Sequence, residues 1–519
     1  MTTPESEPSI AGMMKGGKAE FLGLDVGTSG VKAILVQPDG DVAAAATDPL
    51  TLDTPQPGWA EQDPEAWWQA SCKAIRDVVT QRPNAQIAAV GISGQMHSSV
   101  FLDRDGAVIR PALLWCDGRT TAECREIVSR AGGEAQLRAW VSNPALEGFT
   151  LPKVLWLRNH EPAAFARLTK VLLAKDFVRL RLTTSLATEP SDASGTLMFD
   201  PARMRWSQDM MQAVGLAPSL VPDVGGSSEV LGRVTDAAAA LTGLAPGTPV
   251  VGGGADNACG AAGVGAVTPG EAVSSWGTSG TVLAPTAEPS VDPKLRAHTF
   301  CHVAPDLWYV MGVVLSAGGA FGWYRDQCAR ELAEVERGGR DDRLVEEAAT
   351  VSPGADGVTF LPYLQGERTP HRDASLRAAF VGLTLAHSRA HMTRAVLEGV
   401  CFALRDSLEV LKELGLAPTY LLLTGGGAKS AFIRQLQADV FGLPVTTVNR
   451  EEGGAYGAAL LAAVGAGAFP DLKTAVQQTL TRGPLTHPET HKAYEQAYKR
   501  FAERLPSSQR TPSNSSIVS

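Results

Sequence analysis

The sequence has no uninterrupted apolar run that approaches the roughly 18 residues needed to cross a bilayer. The best candidate, residues 455–469, is short and rich in glycine and alanine, so we predict a buried helix packed closely on a neighbour. Excess positive charge is also missing, because the formal net charge is −9. Nucleic-acid binding requires a basic surface, so no nucleic-acid partner is expected.

Paired cysteine motifs are absent as well. The seven cysteines are scattered, odd in number and without a CxxC pair. This pattern is typical of reduced intracellular thiols and not of a disulfide framework or a zinc site. The N-terminal segment has acidic residues and no apolar core, so no secretory signal is predicted. We therefore expect a cytoplasmic protein that does not bind membranes.

The commonest phosphate-binding motifs are missing too. No GxxxxGK[ST] segment occurs, which excludes a P-loop, and neither the HRD nor the DFG motif of protein kinases is found. Any bound phosphates must therefore be held by other means, such as glycine-rich turns, local cations or a metal ion.

The length of the chain, 519 residues, exceeds what one compact core supports, so two large domains are predicted. Short apolar strands alternate with amphipathic helical segments, which indicates an α/β fold. We expect a disordered extension over 1–18, an N-terminal domain over 19–266, a C-terminal domain over 267–505 and a disordered tail over 506–519.

Two segments, close to half the chain apart, echo each other. Residues 21–36 (FLGLDVGTSGVKAILV) and residues 272–284 (AVSSWGTSGTVLA) both read as strand, Gly-Thr-Ser-Gly turn, strand. A lone turn of this kind is usually an ordinary hairpin turn. The pair in one context, with Asp25 before the first turn, predicts a duplicated fold whose turns bind phosphate through amides and hydroxyls.

The residues around these turns suggest a nucleotide and a metal. A carboxylate at Asp25 can hold magnesium, directly or through water, and Lys32 supplies a nearby cation. A third glycine cluster, within residues 421–442, leads from a strand through Gly425 and Gly426 into a helix. Such a turn offers unpaired amides to an anion and lets a ligand approach the backbone.

A carboxylate, Asp256, follows a glycine turn and precedes a helix rich in small residues. Most carboxylates at this position are helix caps. Its place shortly before the second Gly-Thr-Ser-Gly turn favours a general base that accepts the proton of an attacking hydroxyl.

Two polar clusters could contact a sugar. Gln95, Met96 and His97 end a strand, and Trp115 and Asp117 crowd a short loop. A lone histidine is more often structural than a ligand, but polar groups beside a flat apolar face suit a carbohydrate. The pairs His298/His302 and His387/His391 lack the glutamate or cysteines of metal motifs, so we predict structural roles for them.

Long co-linear segments, over about residues 20–505, resemble the FGGY family of carbohydrate kinases. Both family signatures are readable, as GFTLPKVLWLRNH at 148–160 and as AAFVGLTLAHSRAHMTRAVLE at 378–398. Three further segments, at 58–68, 94–97 and 360–373, are similar to the bacterial xylulokinase branch of that family.

The resemblance implies an actin-like ATPase fold, with two ribonuclease-H-like domains and the active site in the cleft between them. It implies phosphorylation of D-xylulose by ATP and Mg²⁺, giving D-xylulose 5-phosphate, and it is compatible with a homodimer. It makes Asp256 the catalytic base and, with Asp25, a metal ligand. The sugar contacts, from residue type and resemblance together, are Gln95, Met96, His97, Trp115, Asp117, Asp256 and Asn257. The nucleotide contacts are Thr28, Ser29, Lys32, Gly277, Thr278, Gly318, Gly425, Gly426 and Ser430.

The sequence departs from the family's residue pattern at three positions, and two alternative functions stay open. Cys116 stands where related xylulokinases carry Asn, and Gly322 and Ser430 replace polar side chains of the glycerol-kinase branch. Another kinase of the family, acting on ribulose, glycerol or a deoxy-sugar, would share the motifs. A non-enzymatic actin-like ATP-binding switch would keep the phosphate turns but would not need the Gln95-Met96-His97 cluster.

Overall fold

The computed structural model describes residues 19–332 and 339–504. The predicted terminal extensions, residues 1–18 and 506–519, lie outside the described residues. The chain divides into two compact units. The first runs up to Pro269 and includes Pro285–Tyr309 and Glu452–Thr481, and the second comprises Gly270–Ala284, Val310–Glu451 and the chain from Arg482 onward.

The first unit is built on a seven-stranded mixed sheet. Its strands are β1 Ala19–Val26, β2 Gly30–Val36, β3 Val42–Pro49, β4 Gln86–Gly94, β5 Val230–Arg233, β6 Pro249–Val251 and β7 Gly254–Ala255. Their spatial order is β5-β6-β4-β1-β2-β3, and β7 also pairs with β4. Strand β4 runs parallel to β1, β6 and β7. The carboxyl ends of β1, β4 and β7 therefore meet at one edge of the sheet, where α/β folds commonly bind ligands.

The second unit contains most of a six-stranded sheet. The strands of this sheet are β8 Ala272–Trp276, β9 Gly280–Thr286, β10 His298–Cys301, β11 Trp308–Val314, β12 Leu421–Gly425 and β13 Val445–Thr446. Their spatial order is β10-β11-β9-β8-β12-β13. Strand β8 pairs antiparallel with β9 and parallel with β12.

The two sheets share their central topology. In each, a first strand pairs antiparallel with a second across a Gly-Thr-Ser-Gly turn and parallel with a later strand on its other side. On its other side the second strand adjoins a further strand, which is β3 in the first sheet and β11 in the second. This duplication confirms the predicted α/β fold of two actin-like, ribonuclease-H-like domains.

Helices flank both sheets. Those of the first unit are Pro64–Gln81, Thr121–Ala131, Glu134–Val141, Thr150–His160, Pro162–Phe165, Ala174–Thr183, Pro190–Ala193, Gln208–Val214, Asp236–Thr242, Asp256–Gly263, Gly453–Gly465 and Leu472–Thr479. Those of the second are Gly318–Cys328, Gly339–Ala349, Arg389–Glu413, Ala431–Phe441 and His491–Glu503. Within residues 19–332 and 339–504, no helix has both the length and the hydropathy of a membrane span.

Shorter elements complete the fold. The 3-10 turns are Ser194–Thr196, Pro218–Leu220, Arg330–Leu332, Ala355–Gly357 and Gly426–Ala428. The two-stranded ribbons pair Glu61–Gln62 with Ala112–Leu113, Val100–Leu102 with Lys170–Leu172, Ala187–Thr188 with Asp223–Val224, Phe199–Asp200 with Arg205–Trp206, and Thr359–Leu361 with Ala379–Val381.

The sequence predicts two continuous domains that meet between residues 266 and 267. In the structure the first unit also includes two later segments, Pro285–Tyr309 and Glu452–Thr481. Within the second of these, the buried helix Gly453–Gly465 packs against β1, β2 and β4 of the first sheet. A Cβ added at Gly23 of β1 would lie 2.0 Å from the carbonyl oxygen of Ala455, and one at Gly91 of β4 would lie 2.0 Å from that of Ala458. Glycine at these strand positions thus allows backbone contact with the helix, which confirms the predicted close packing.

We predict that Gly457→Ala destabilises the protein. Its Cβ would lie 2.0 Å from the carbonyl oxygen of Cys259, a backbone atom that cannot turn aside. Overpacking of this kind costs about 1–3 kcal/mol. The matched control is Gly260→Ala, also within a helix, where an added Cβ meets nothing within 4 Å. Thermal unfolding should show a lowered midpoint for Gly457→Ala only; equal midpoints would contradict this packing.

Candidate active site

Three strand ends bring predicted residues together in the first unit. In the sheet register, Ser93 of β4 lies beside Asp25 of β1 on one side and beside Gly254 of β7 on the other. Gln95 to His97 follow β4, and Asp256 follows β7 directly. The parallel pairing therefore places the two carboxylates on either side of the polar residues that follow β4.

Asp256 is the first residue of the helix Asp256–Gly263, and the capping position belongs to Ala255. An ordinary N-cap role therefore does not explain it. Its Oδ1 accepts hydrogen bonds from the backbone N of Asn257 at 2.8 Å and from Asn257 Nδ2 at 3.0 Å. Burial and the charge of Asp25 raise the pKa of Asp256 to about 7, although the hydrogen bonds from Asn257 oppose the shift.

Asp25 offers an unused oxygen. Burial raises its pKa, and the Ser93 hydroxyl and the Lys32 ammonium offset part of that shift. Its Oδ1 is buried and has no hydrogen-bond partner. Gly454, in the first turn of the helix Gly453–Gly465, lies so close that an added Cβ would be 3.1 Å from Oδ1. The positive end of a helix dipole thus faces this carboxylate.

These two carboxylates fit a magnesium ion. Mg²⁺ is typically held by one or two carboxylates together with water and substrate phosphates. A buried oxygen without a partner is costly unless a ligand satisfies it. In the described residues, no group of three or more His, Cys, Asp or Glu side chains forms a closed metal site. An ion here would therefore need oxygen ligands from its substrate or from water.

The first Gly-Thr-Ser-Gly turn is held by a hydrogen-bond network. The Thr28 hydroxyl donates to Gln95 Oε1 at 3.0 Å and accepts from Trp115 Nε1 at 2.9 Å. The Thr28 carbonyl accepts from Gln62 Nε2 at 2.8 Å. Gln95 and Trp115 thus position the turn. Sequence reasoning missed Gln62, whose only signal was its place in the family-like segment 58–68.

His97 is fixed in one orientation. It has a positive φ of 67° and its ring packs 4.6 Å from that of Phe149, centroid to centroid. Its Nδ1 is hydrogen-bonded to the carbonyl oxygen of Gly195. Since a carbonyl can only accept, Nδ1 carries a proton and donates it to Gly195.

Asp117 has a different environment from the one predicted for a sugar contact. Its carboxylate accepts from the backbone N of Ala60 at 2.6 Å and from Arg119 NH2 at 2.7 Å. The Arg119 guanidinium in turn lies 2.7 Å from Glu61 and stacks 3.6 Å from the Trp59 ring centroid. These contacts favour a role in holding the loop, and a direct sugar contact stays a prediction.

Neither histidine pair resembles a metal site. His298 lies in a strand, where its ring stacks on Phe300 and its Nδ1 faces Asn143 Oδ1 at 3.3 Å. Ser388 caps the helix Arg389–Glu413, and His391 Nδ1 accepts from the backbone N of Ser388 at 3.1 Å in the same capping box. Both observations agree with the structural roles predicted for these pairs.

The second Gly-Thr-Ser-Gly turn is braced by the start of the helix Gly318–Cys328. The backbone N of Gly318 donates to the carbonyl of Gly277 at 2.8 Å, and that of Ala317 donates to Thr278 at 3.0 Å. An added Cβ at Gly318 would lie 2.6 Å from the Gly277 carbonyl oxygen. Glycine at 318 is therefore needed for this close approach.

The third glycine cluster borders a pocket of about 440 Å³ in the second unit. Gly425 and Gly426 line it, as predicted for nucleotide contacts, whereas Ser430 caps the helix Ala431–Phe441. The full lining is Leu423, Thr424, Gly425, Gly426, Ala428, Lys429, Arg434, Thr447, Val448, Arg450 and Glu451. Sequence reasoning missed the residues from Thr447 on, because no motif marks them.

The chain is similar to known carbohydrate kinases over almost its whole length. The model of the FGGY family of carbohydrate kinases, N-terminal domain, matches residues 21–263, and the C-terminal domain matches 272–466. The xylulose kinase of Escherichia coli (strain K12) is 39% identical, over 93% of this chain and 99% of its own. A Bacillus subtilis gluconokinase is 31% identical, over 85% and 86% of the two chains.

The fold is also similar to that of a solved carbohydrate kinase structure. The xylulose kinase from Rhodospirillum rubrum is 33% identical, with a TM-score of 0.84, and covers 93% of this chain and 98% of its own. The chain belongs to the FGGY family of carbohydrate kinases.

The raised pKa of Asp256 has a consequence for stability. A carboxyl whose pKa rises from 3.8 to about 7 on folding binds its proton more tightly in the folded state. Folding stability is therefore lost as pH rises between these two values.

We predict that Asp256→Asn is more stable than wild type at pH 8 and that this advantage shrinks at pH 5. The unfolding midpoint at pH 8 should rise by about 2–4 °C, measured without ligands. The matched control is Asp105→Asn, since Asp105 is exposed. A difference from wild type that is independent of pH would contradict the assigned ionisation.

Proposed function

We propose that this chain transfers the γ-phosphoryl group of ATP to D-xylulose, giving D-xylulose 5-phosphate. The observation that carries the proposal is the meeting of Asp25, His97 and Asp256 at three adjacent strand ends. The similarity to xylulose kinases, higher than that to a gluconokinase, supports the choice of sugar.

Asp256 acts as the general base in this proposal. The carboxylate accepts the proton of the attacking sugar hydroxyl as the oxygen approaches phosphorus in line. A base with a pKa of about 7 is well matched to neutral pH. Phosphoryl transfer has a loose transition state, so positioning of the hydroxyl contributes more than basicity.

The sugar contacts are proposed to centre on His97, Met96 and Asn257. The His97 ring, held by its Nδ1 bond to Gly195, is proposed to contact a sugar hydroxyl. Asn257 Nδ2 lies 3.6 Å from Met96 Sδ, so the two sugar-side elements touch beside Asp256. Trp115 is half-buried and supplies the flat apolar face. Gln95 supports the site through Thr28.

The phosphates are proposed to contact Ser29 and the amides of both turns, with Lys32 nearby. Adenosine is proposed to bind in the pocket lined by Gly425 and Gly426. Magnesium, held by Asp25 and Asp256, would neutralise phosphate charge when bound. The location of the whole site in an interdomain cleft stays a prediction.

A cytoplasmic location is also part of the proposal. Seven free cysteines suit the reducing cytoplasm, where ATP is abundant. The homodimer stays a prediction. The rival function as an ATP-binding switch gives no reason for Met96 and Asn257 to lie beside Asp256. Sugar-independent ATP hydrolysis without a phosphorylated product would favour that rival.

We predict that Asp256→Asn lowers kcat for D-xylulose phosphorylation by about 10²–10⁴-fold, because the proton acceptor is lost.

For wild type, kcat/KM should fall as pH drops below about 7, since protonation of Asp256 removes the base. Sugar-dependent ADP release across pH 5–9 measures both. Asp105→Asn is the control, and turnover of Asp256→Asn within tenfold of wild type would remove Asp256 from the role.

We predict that Gly426→Val raises KM for ATP by about tenfold and leaves KM for the sugar within twofold, because it fills the nucleotide pocket. The backbone has room, as an added Cβ would lie 3.9 Å from its nearest neighbour, the Trp276 carbonyl oxygen. Gly425→Ala is the contrast: its Cβ would lie 2.4 Å from the same atom, so it should lower the unfolding midpoint. An unchanged KM for ATP in Gly426→Val would place adenosine elsewhere.

A further inference from the structure

One short stretch of the first unit bonds to both sides of the proposed sugar site. We call residues 189–195 the tether segment; it contains the helix Pro190–Ala193. Its Ser191 Oγ accepts a hydrogen bond from the backbone N of Ala255 at 2.9 Å. Its Gly195 carbonyl accepts from His97 Nδ1.

The bond from Ala255 acts directly on the start of the helix that carries Asp256. Ala255 is the capping residue of that helix and precedes the carboxylate in the chain. Ser191 Oγ donates in turn to Glu189 Oε1 at 2.8 Å, so its proton points away from Ala255 and a lone pair faces the amide.

The tether segment is itself firmly anchored. The Glu189 carboxylate accepts from the backbone N of Ser191 at 2.8 Å and from Ser227 Oγ at 2.9 Å. Lys175 Nζ lies 3.5 Å from it, and both side chains are fully buried. A buried, paired and hydrogen-bonded charge resists displacement, because moving it would leave charged groups without partners.

The tether segment packs tightly against the proposed sugar site at both Ser191 and Gly195. A Cβ added at Gly254, one residue before Ala255, would lie 3.2 Å from Ser191 Oγ. A Cβ added at Gly195 would lie 2.9 Å from His97 Nδ1 and from Met96 Cε. Both ends are thus in close contact with the elements they hold.

We propose that Ser191 is a positioning residue for phosphoryl transfer. By holding Ala255, it fixes the start of the Asp256 helix relative to His97, which Gly195 of the same segment holds. This inference rests on the proposed function. Ser191 is fully buried and acts through Asp256, not on the substrate.

A neighbouring serine supplies a matched control. Ser194 is equally buried, and its Oγ accepts from the backbone N of Cys301 at 3.2 Å and donates to the Ser191 carbonyl at 2.8 Å. Ser194→Ala thus removes the same kind of bond from the same region. It releases Cys301 of β10 and one hydrogen bond within the tether segment, but it keeps the bond from Ala255 to Ser191 Oγ.

The test compares Ser191→Ala and Ser194→Ala in full-length protein, by steady-state kinetics and by hydrogen exchange of the peptide spanning residues 250–258. Ser191→Ala should lower kcat by about tenfold or more, with KM for ATP within twofold, because small misplacements of a reacting group are costly. Its peptide should exchange faster. Ser194→Ala should change neither kcat nor that exchange by more than twofold.

A second variant, Ser191→Cys, fills the space but replaces the hydroxyl by a weak acceptor, and it should also be slow. A folded Ser191→Cys with wild-type kcat, or an equal loss of kcat in Ser194→Ala, would overturn the positioning role. Unchanged exchange in Ser191→Ala would overturn the tether whatever the kinetics. If wild type releases no sugar-dependent ADP, the proposed function fails, and the exchange comparison still decides whether Ser191 holds the helix.

Discussion

The parallel pairing of β4 with both β1 and β7 is the constraint on which the site depends. That register puts Asp25 and Gly254 on opposite sides of Ser93, so two carboxylates approach each other at the end of a buried sheet. Burial first, and then repulsion from Asp25, raise the pKa of Asp256. The arrangement is unfavourable for stability when both groups are ionised, which is typical of a site built for chemistry.

Other elements of the first unit offset the unfavourable free energy of the two buried carboxylates. Small residues let the helix Gly453–Gly465 reach the sheet, and its amino end faces Asp25. The helix Asp256–Gly263 begins at the second carboxylate and supplies Asn257 as a donor to it. The buried Lys175 balances the carboxylates that anchor the tether segment. Helix ends and buried pairs thus hold two anionic groups in place.

Sequence reasoning predicted the duplicated strand–turn–strand units, because the two Gly-Thr-Ser-Gly turns carry their own local signal. Local position also singled out the two carboxylates, since Asp25 lies just before the first turn and Asp256 follows a glycine turn at the start of a helix. It could not predict that helix Gly453–Gly465 returns to the first unit, since that packing depends on glycines far apart in the chain. Ser191 was missed because a lone polar residue has no local signal, and the family-like segment around Gln62 did not single that residue out. Only the fold brings each of them to its partner.

A substrate panel with Mg²⁺ and ATP tests directly whether this chain is a kinase whose preferred acceptor is D-xylulose. Initial rates of ADP release give kcat/KM for D-xylulose, D-ribulose, glycerol, a deoxy-sugar and gluconate, with product confirmed as a sugar phosphate. We expect kcat/KM for D-xylulose to be the highest, by about tenfold or more, the order expected when matched polar contacts discriminate between substrates. A higher kcat/KM for any other acceptor, or ADP release that does not depend on sugar, would contradict it.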